Sequence, residues 1–314
     1  MSQPQRRPAL PWLARYSRLS RNARGAVWML ASAATFTLMT MLIKYLGADY
    51  SAWLQAFYRQ VAGLIVLLPM IVRDPRGAFR TTRPGILLFR ALAGTLGMIL
   101  SFYAYQKMPL ADANALSFTR TLWLVPLAAF VLQERVGARR VSATVVGFLG
   151  ALLMLQPALE DSSRFGLPGL AALASALLFA LTVTGMKIMT RDHSTMTLMA
   201  WSAVLGFFIA IPLAVLDWHW PAALDLCLLA AMGVLGTITQ ACYIKGMAEG
   251  DAGVMAPMDY TRLIFAIVLG YLLFAEIPNL LTMVGAAIII GATLYITIRE
   301  SRLGVPKTPP ERAD

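Results

Sequence analysis

Charge, histidine and cysteine are what this sequence has least of. Only 14% of its 314 residues are Asp, Glu, Lys or Arg, against roughly 25% in soluble chains. Most of its surface must therefore face something other than water. The two histidines, His193 and His219, both fall at loops, and the two cysteines, Cys227 and Cys242, lie fifteen residues apart in one apolar run. That separation is too great for a disulfide along one helix axis. No residues have metal-ligand spacing, and no Cys–His, His-based or paired-carboxylate constellation is present for an enzyme. No cofactor is called for. The segments between apolar runs are too short for a soluble domain, and no filter-like motif of a channel is present. A polytopic membrane enzyme and a channel or sensor are thus the weaker alternatives.

What is present is apolar length. Ten hydrophobic runs occupy about 26–46, 52–72, 85–106, 110–132, 141–156, 167–187, 196–216, 224–245, 252–274 and 280–298. Most reach the roughly 20 residues that a helix needs to span a bilayer. The fifth is short and rests on the pattern around it. The fold expected is an all-α polytopic membrane protein.

The net charge of +11 does not form a nucleic-acid-binding face, because the basic residues sit between the runs. With the N-terminus placed inside, twenty Lys and Arg fall on the inner side and three, Lys44, Lys107 and Arg164, on the outer. That asymmetry orients the chain with both termini in the cytoplasm. Residues 1–24 read as a basic cytoplasmic tail lying partly on the membrane surface, and residues 299–314 as a second tail. An Arg-rich, acid-poor start is also compatible with an organellar transit peptide.

The halves repeat. At an offset of 143, Ser32 meets Ser175, Phe36 meets Phe179, Lys44 meets Lys187, Gly63 meets Gly206 and Pro69 meets Pro212. At a slightly smaller offset Tyr105 meets Tyr243, Asp112 meets Asp251 and Gly147 meets Gly285. Two repeats, 25–157 and 167–298, each with five spans, must enter the membrane in opposite senses. Transporters built this way commonly hold substrate near the midplane where the halves meet.

The charges inside the spans point to the same place. Arg120 lies in the fourth run, roughly 15 Å from its start at 1.5 Å per residue. The dipeptide Thr119-Arg120 recurs as Thr261-Arg262, and Glu134 and Glu276 each follow their arginine by fourteen residues. A cation at that depth is costly and faces a cavity or a partner. Asp259, three residues before Arg262, can pair with it or serve as a protonatable group. Arg59 is placed either to snorkel or to face the cavity, and Arg90, near a span end, reads as a snorkelling anchor. Arg59, Arg120 and Arg262 against Asp259 leave an excess of positive charge, which favours an anionic or zwitterionic substrate. Tyr260, Trp123 and Tyr103 are the aromatic candidates for stacking on it, with Tyr105 and Tyr243 behind them. Glu134 and Glu276 read as ties for helix ends. Ala91–Gly97 and Gly233–Gly236 read as close helix approaches, and Gly147–Gly150 and Gly285–Gly291 as packing or dimer contacts.

Taken in order, Phe57-Tyr58-Arg59, FYAYQKMPLADANALSF at 102–118, Leu132-Gln133-Glu134, GFLGALLMLQP at 147–157, GYLLFAEIP at 270–278 and Arg299-Glu300 resemble the EamA-type ten-helix carriers of the drug/metabolite transporter superfamily. The resemblance covers nearly all of residues 25–300. It implies secondary transport of a small metabolite across a bacterial inner membrane, in either direction. Members handle amino acids and derivatives, S-adenosylmethionine, riboflavin and other small polar compounds. Many carry a proline thirteen residues before the glutamate, where this chain has Thr121 and Leu263. Pro126 and Pro257 are then the candidates for helix breaks. The expected partners are a small-molecule substrate and the lipid bilayer, and both proton coupling and a homodimer are compatible with this reading.

Overall fold

The computed structural model describes residues 20–131, 133, 136–160, 166–189, 193, 195–250, 255 and 258–302. The described residues form helices and their joints. The first repeat holds α1 (Arg21–Leu46), α2 (Ala52–Arg73), the short α3 (Pro75–Phe79), α4 (Pro84–Lys107), α5 (Leu110–Ser117), α6 (Thr119–Phe130) and α7 (Ala138–Glu160). The second holds α8 (Gly166–Met189), α9 (Thr195–Val215), α10 (Ala223–Glu249), α11 (Thr261–Phe274) and α12 (Leu280–Arg302). The starts follow local chemistry. The Ser20 hydroxyl accepts from the amide of Ala23 at 3.2 Å, and the Asp74 carboxylate accepts from that of Gly77 at 2.9 Å, each satisfying a donor with no partner inside the helix. Pro75 and Pro84 take first-turn positions, where no amide is needed.

Among the described residues, eight helices are long and apolar enough to cross a membrane. They carry large outward apolar side chains, among them Ile65, Leu152, Phe208 and Met283, as a lipid-bounded surface requires. The fifth run is longer than its hydropathy suggested, because α7 extends over 23 residues. The two remaining crossings are broken. The fourth is α5 followed by α6, and the ninth reaches α11 through a turn at Tyr260.

Packing exchanges the halves. The first helix of each repeat lies against the third of the other, α1 on α10 and α8 on α4, while α7 meets α12 and α2 meets α9. In the same sense α2 touches α10 and α9 touches α4. Small residues permit these approaches. A Cβ on Gly25 would meet the Gly246 carbonyl at 3.0 Å, and one on Gly97 would meet the Leu178 side chain at 3.1 Å. Across the first crossing the Ser32 hydroxyl donates to the Thr239 carbonyl at 3.0 Å, and the Thr239 hydroxyl to that of Thr35 at 2.9 Å. Gly150 and Gly285 face each other where α7 crosses α12, each with a missing Cβ directed at the other's carbonyl. They serve packing within the chain.

Arg90 departs from expectation. It is buried and donates to the Leu198 carbonyl at 3.1 Å and to the Ser202 hydroxyl, both on α9. Its guanidinium ties the halves together instead of reaching for the membrane surface, because α9 offers acceptors close by.

Candidate functional site

The repeated Thr-Arg pair sits just past the two breaks. In the first repeat the Thr119 hydroxyl donates to the Leu116 carbonyl at 2.6 Å, and the amide of Thr121 to the Phe118 carbonyl at 3.1 Å. In the second the Thr261 hydroxyl donates to the Met258 carbonyl at 2.7 Å, and the amide of Leu263 to the Tyr260 carbonyl at 3.0 Å. Each threonine thus satisfies a carbonyl next to the break, and the aromatic residue before it supplies the turn. Such satisfaction is what permits irregular backbone at membrane depth. Proline is not the cause in the fourth span: Pro126 lies inside α6, eight residues beyond the break. Pro257 lies outside the described residues.

The breaks deliver Arg120 and Arg262 to one cavity of about 80 Å³, lined by Phe118, Arg120, Thr121, Tyr243, Asp259, Tyr260, Arg262 and Thr297. It lies toward the end of the bundle where Arg24 of α1 pairs with Glu249 of α10 at 3.4 Å, since Tyr243 is only six residues from Glu249.

The two arginines are held differently. Arg262 is 8% exposed and pairs with Asp259 at 3.3 Å. Its guanidinium carbon lies 4.9 Å from the centre of the Phe36 ring and 4.5 Å from that of Phe118. A charge clamped between two rings and a carboxylate is fixed in place and largely compensated. Arg120 is half-buried, lines the cavity, and has no hydrogen bond, ion pair or ring contact among the described residues. The cavity therefore carries one compensated cation, one carboxylate and one uncommitted guanidinium.

Tyr260 is held by a hydrogen bond to the Thr293 hydroxyl and by an edge contact with Phe118, ring centres 4.7 Å apart. The other sequence candidates are elsewhere. Trp123 turns toward α7 and packs on Phe148 at 4.7 Å. Tyr103 is half-buried against the main core and does not line the cavity. Arg59, on α2, faces α4 and α10, with one guanidinium nitrogen 2.9 Å from the Met98 sulfur and another facing the missing Cβ of Gly236. No ion pair reaches Arg59 among the described residues.

Phe36, Thr121 and Thr297 were not expected, and Phe118 was noted only as part of a motif. One signal could have found Phe118: aromatic-Thr-Arg occurs twice, as Phe118-Thr119-Arg120 and Tyr260-Thr261-Arg262. Glu276 ties helix ends as expected. It pairs with Lys44, which stands in the last turn of α1, and accepts from the amide of Leu110 at 2.8 Å. Glu134 lies outside the described residues, but the residues preceding the two glutamates, Gln133 and Ala275, share a left-handed backbone with φ of 53°. No metal-holding group of His, Cys, Asp and Glu occurs among the described residues.

The model of the EamA-like transporter family matches residues 23–156 and again 167–298. The S-adenosylmethionine uptake transporter of Rickettsia prowazekii is 32% identical over 279 residues, covering 88% of this chain and 94% of the relative. The riboflavin transporter of Brucella anthropi is 27% identical over 87% of this chain and 98% of its own. A pseudopaline exporter of Pseudomonas aeruginosa is 26% identical over 87% and 95%. A solved crystal structure with 17% identity superposes with a TM-score of 0.60 over 90% of this chain and 99% of that one, a likeness of fold alone.

Proposed function

Because the chain belongs to the EamA-like transporter family, we propose that it carries a metabolite bearing a zwitterionic amino-acid head group, of the S-adenosylmethionine kind, across a bacterial inner membrane by alternating access. Both termini lie on the cytoplasmic side, as the twenty-to-three split of basic residues favours. Residues 25–157 and 167–298 act as the two rocking units around the seam.

The observation that carries the substrate class is the uncommitted guanidinium of Arg120 in a cavity it shares with Asp259. An α-amino acid needs a cation for its carboxylate and an anion for its ammonium. Arg120 supplies the first with a planar fork suited to two oxygens. Asp259 supplies the second, held in position by the clamped Arg262. Tyr243, Tyr260 and Phe118 offer ring faces and edges to a planar group attached to that head. At about 80 Å³ the cavity is well below the roughly 300 Å³ at which ligand pockets begin. In this state it admits a head group, and the rest of the metabolite enters when the seam opens. Relatives named for S-adenosylmethionine and riboflavin support a ring-bearing substrate, and the carboxylate–ammonium match favours the first of these.

The test is counterflow of labelled S-adenosylmethionine into proteoliposomes preloaded with the unlabelled compound. Saturable counterflow supports the proposal; its absence, with riboflavin exchanged instead, overturns the amino-acid head-group assignment. A reporter joined to the C-terminus and found active only outside the cytoplasm would refute the orientation.

A further inference from the structure

Away from the cavity, at the end of the bundle where α1 finishes and Tyr50 bonds to Asp225 at the start of α10 at 2.8 Å, three more charged side chains meet. Lys44 donates to Glu276 and, at 2.6 Å, to the Met108 carbonyl. The second Glu276 oxygen accepts from the amide of Leu110. This one ion pair fastens the end of α1, the joint between α4 and α5, and the chain leaving α11. Both side chains are 15% exposed, so water does little to screen them.

Asp112 stands beside this latch, in the first turn of α5. It is 6% exposed, and its Oδ1 has no hydrogen-bond partner among the described residues. The Thr282 hydroxyl of α12 is its polar neighbour, and the charges acting on it are those of Lys44 and Glu276. Among the described residues, the other elements packed on α5, namely α4, α6, α8 and α11, bring no further charge to it. The cluster therefore holds two carboxylates and one ammonium. Lys44 and the Leu110 amide already serve Glu276, which leaves Asp112 as the carboxylate without a counter-ion. A buried charge without a counter-ion is costly, and a proton is the smallest ligand that removes it.

We propose that Asp112 is the proton-binding group of this carrier. Its carboxyl oxygen takes one proton from the aqueous phase at that end as the Lys44–Glu276 latch closes, and gives it up toward the opposite aqueous phase once the other end of the carrier has opened. Closure and protonation then favour each other, since a ligand that binds one state better shifts the equilibrium toward it. Asp259, by contrast, already has a counter-ion in Arg262. The proposal rests on the carrier reading given above, but not on the identity of the substrate.

Infrared spectroscopy of the purified protein in lipid nanodiscs reads the proton directly. A protonated-carboxyl stretching band is expected in the wild type at mildly acidic pH and is lost in Asp112→Asn. Carboxyl-¹³C-labelled aspartate should shift the same band in the unmutated protein, which serves if the variant does not fold. A band that survives Asp112→Asn, ignores the label or is missing from the wild type overturns the proposal. In proteoliposomes, accumulation of S-adenosylmethionine driven by a pH gradient should fall in Asp112→Asn to the level without a gradient, while counterflow persists. Accumulation at the wild-type level overturns the proposal. Failure of the wild type to move S-adenosylmethionine leaves the infrared result to decide the proton, and counts against the substrate alone.

Discussion

Replacing Arg120 with glutamine separates a binding role from a structural one, because the two arginines of the cavity are held so differently. Arg120 has no ion pair, hydrogen bond or ring contact among the described residues, so its loss breaks no interaction among them. A change within about 0.5 kcal/mol is expected, as for substitutions away from named interactions. Arg262→Gln removes the partner of Asp259 at 3.3 Å and two ring contacts. Breaking a buried pair costs about 3–5 kcal/mol. The 20% exposure of Asp259 and the proximity of Arg120 hold the loss near the lower end. Transport should show the opposite emphasis for Arg120. Two charge-assisted hydrogen bonds to a carboxylate contribute about 1.5–3 kcal/mol each. Losing roughly 3 kcal/mol in total weakens half-saturation on the order of a hundredfold. The assays are thermal unfolding in detergent and counterflow in proteoliposomes, run on both variants. Arg120→Gln should unfold with the wild type and fail in counterflow, while Arg262→Gln unfolds earlier and also transports poorly. Arg120→Gln that transports normally, or that unfolds as early as Arg262→Gln, would refute the assignment.

The remaining predictions concern the scaffold that presents these groups. Gly285→Ala places a Cβ within 2.6 Å of the Gly150 carbonyl and 2.4 Å of Met154, so α7 and α12 must separate. Overpacking of this kind costs about 1–3 kcal/mol. Gly291→Ala on the same helix meets nothing within 4 Å and should stabilise by roughly 0.5–1 kcal/mol; thermal unfolding of the pair checks the contrast. Thr119→Val and Thr261→Val each remove a hydroxyl that satisfies a carbonyl next to a break, a loss of about 1 kcal/mol. Either should lower transport more than stability, read as counterflow rate against unfolding temperature, because the arginine that follows loses its fixed approach to the cavity.

Much of this arrangement was legible in the sequence for a physical reason. A guanidinium at bilayer depth is too costly to be incidental, so Arg120 and Arg262 marked the seam, and their matched spacing to Glu134 and Glu276 marked the repeat. Aspartate three residues before Arg262 was enough to foresee their pairing. What could not be read was which neighbours other helices would bring. Phe36 comes to Arg262 from α1 and Thr297 to the cavity from α12, far away along the chain. Trp123 follows Arg120 by three residues, yet the ring of Phe148 draws it to α7. Arg90 seemed near enough to the surface to snorkel, and only the acceptors on α9 made burial affordable. The break in the fourth span was expected at a proline and is made by a threonine back-bond at Phe118, a device that leaves a weak trace in hydropathy.

The most direct measurement is the position of the ligand in a structure of the protein solved with S-adenosylmethionine bound. Its carboxylate should lie within hydrogen-bond distance of the Arg120 guanidinium, its ammonium against Asp259, and its ring beside Tyr243 or Tyr260. A ligand seated away from the α5–α6 and α11 breaks, with Arg120 still unengaged, would contradict the central claim.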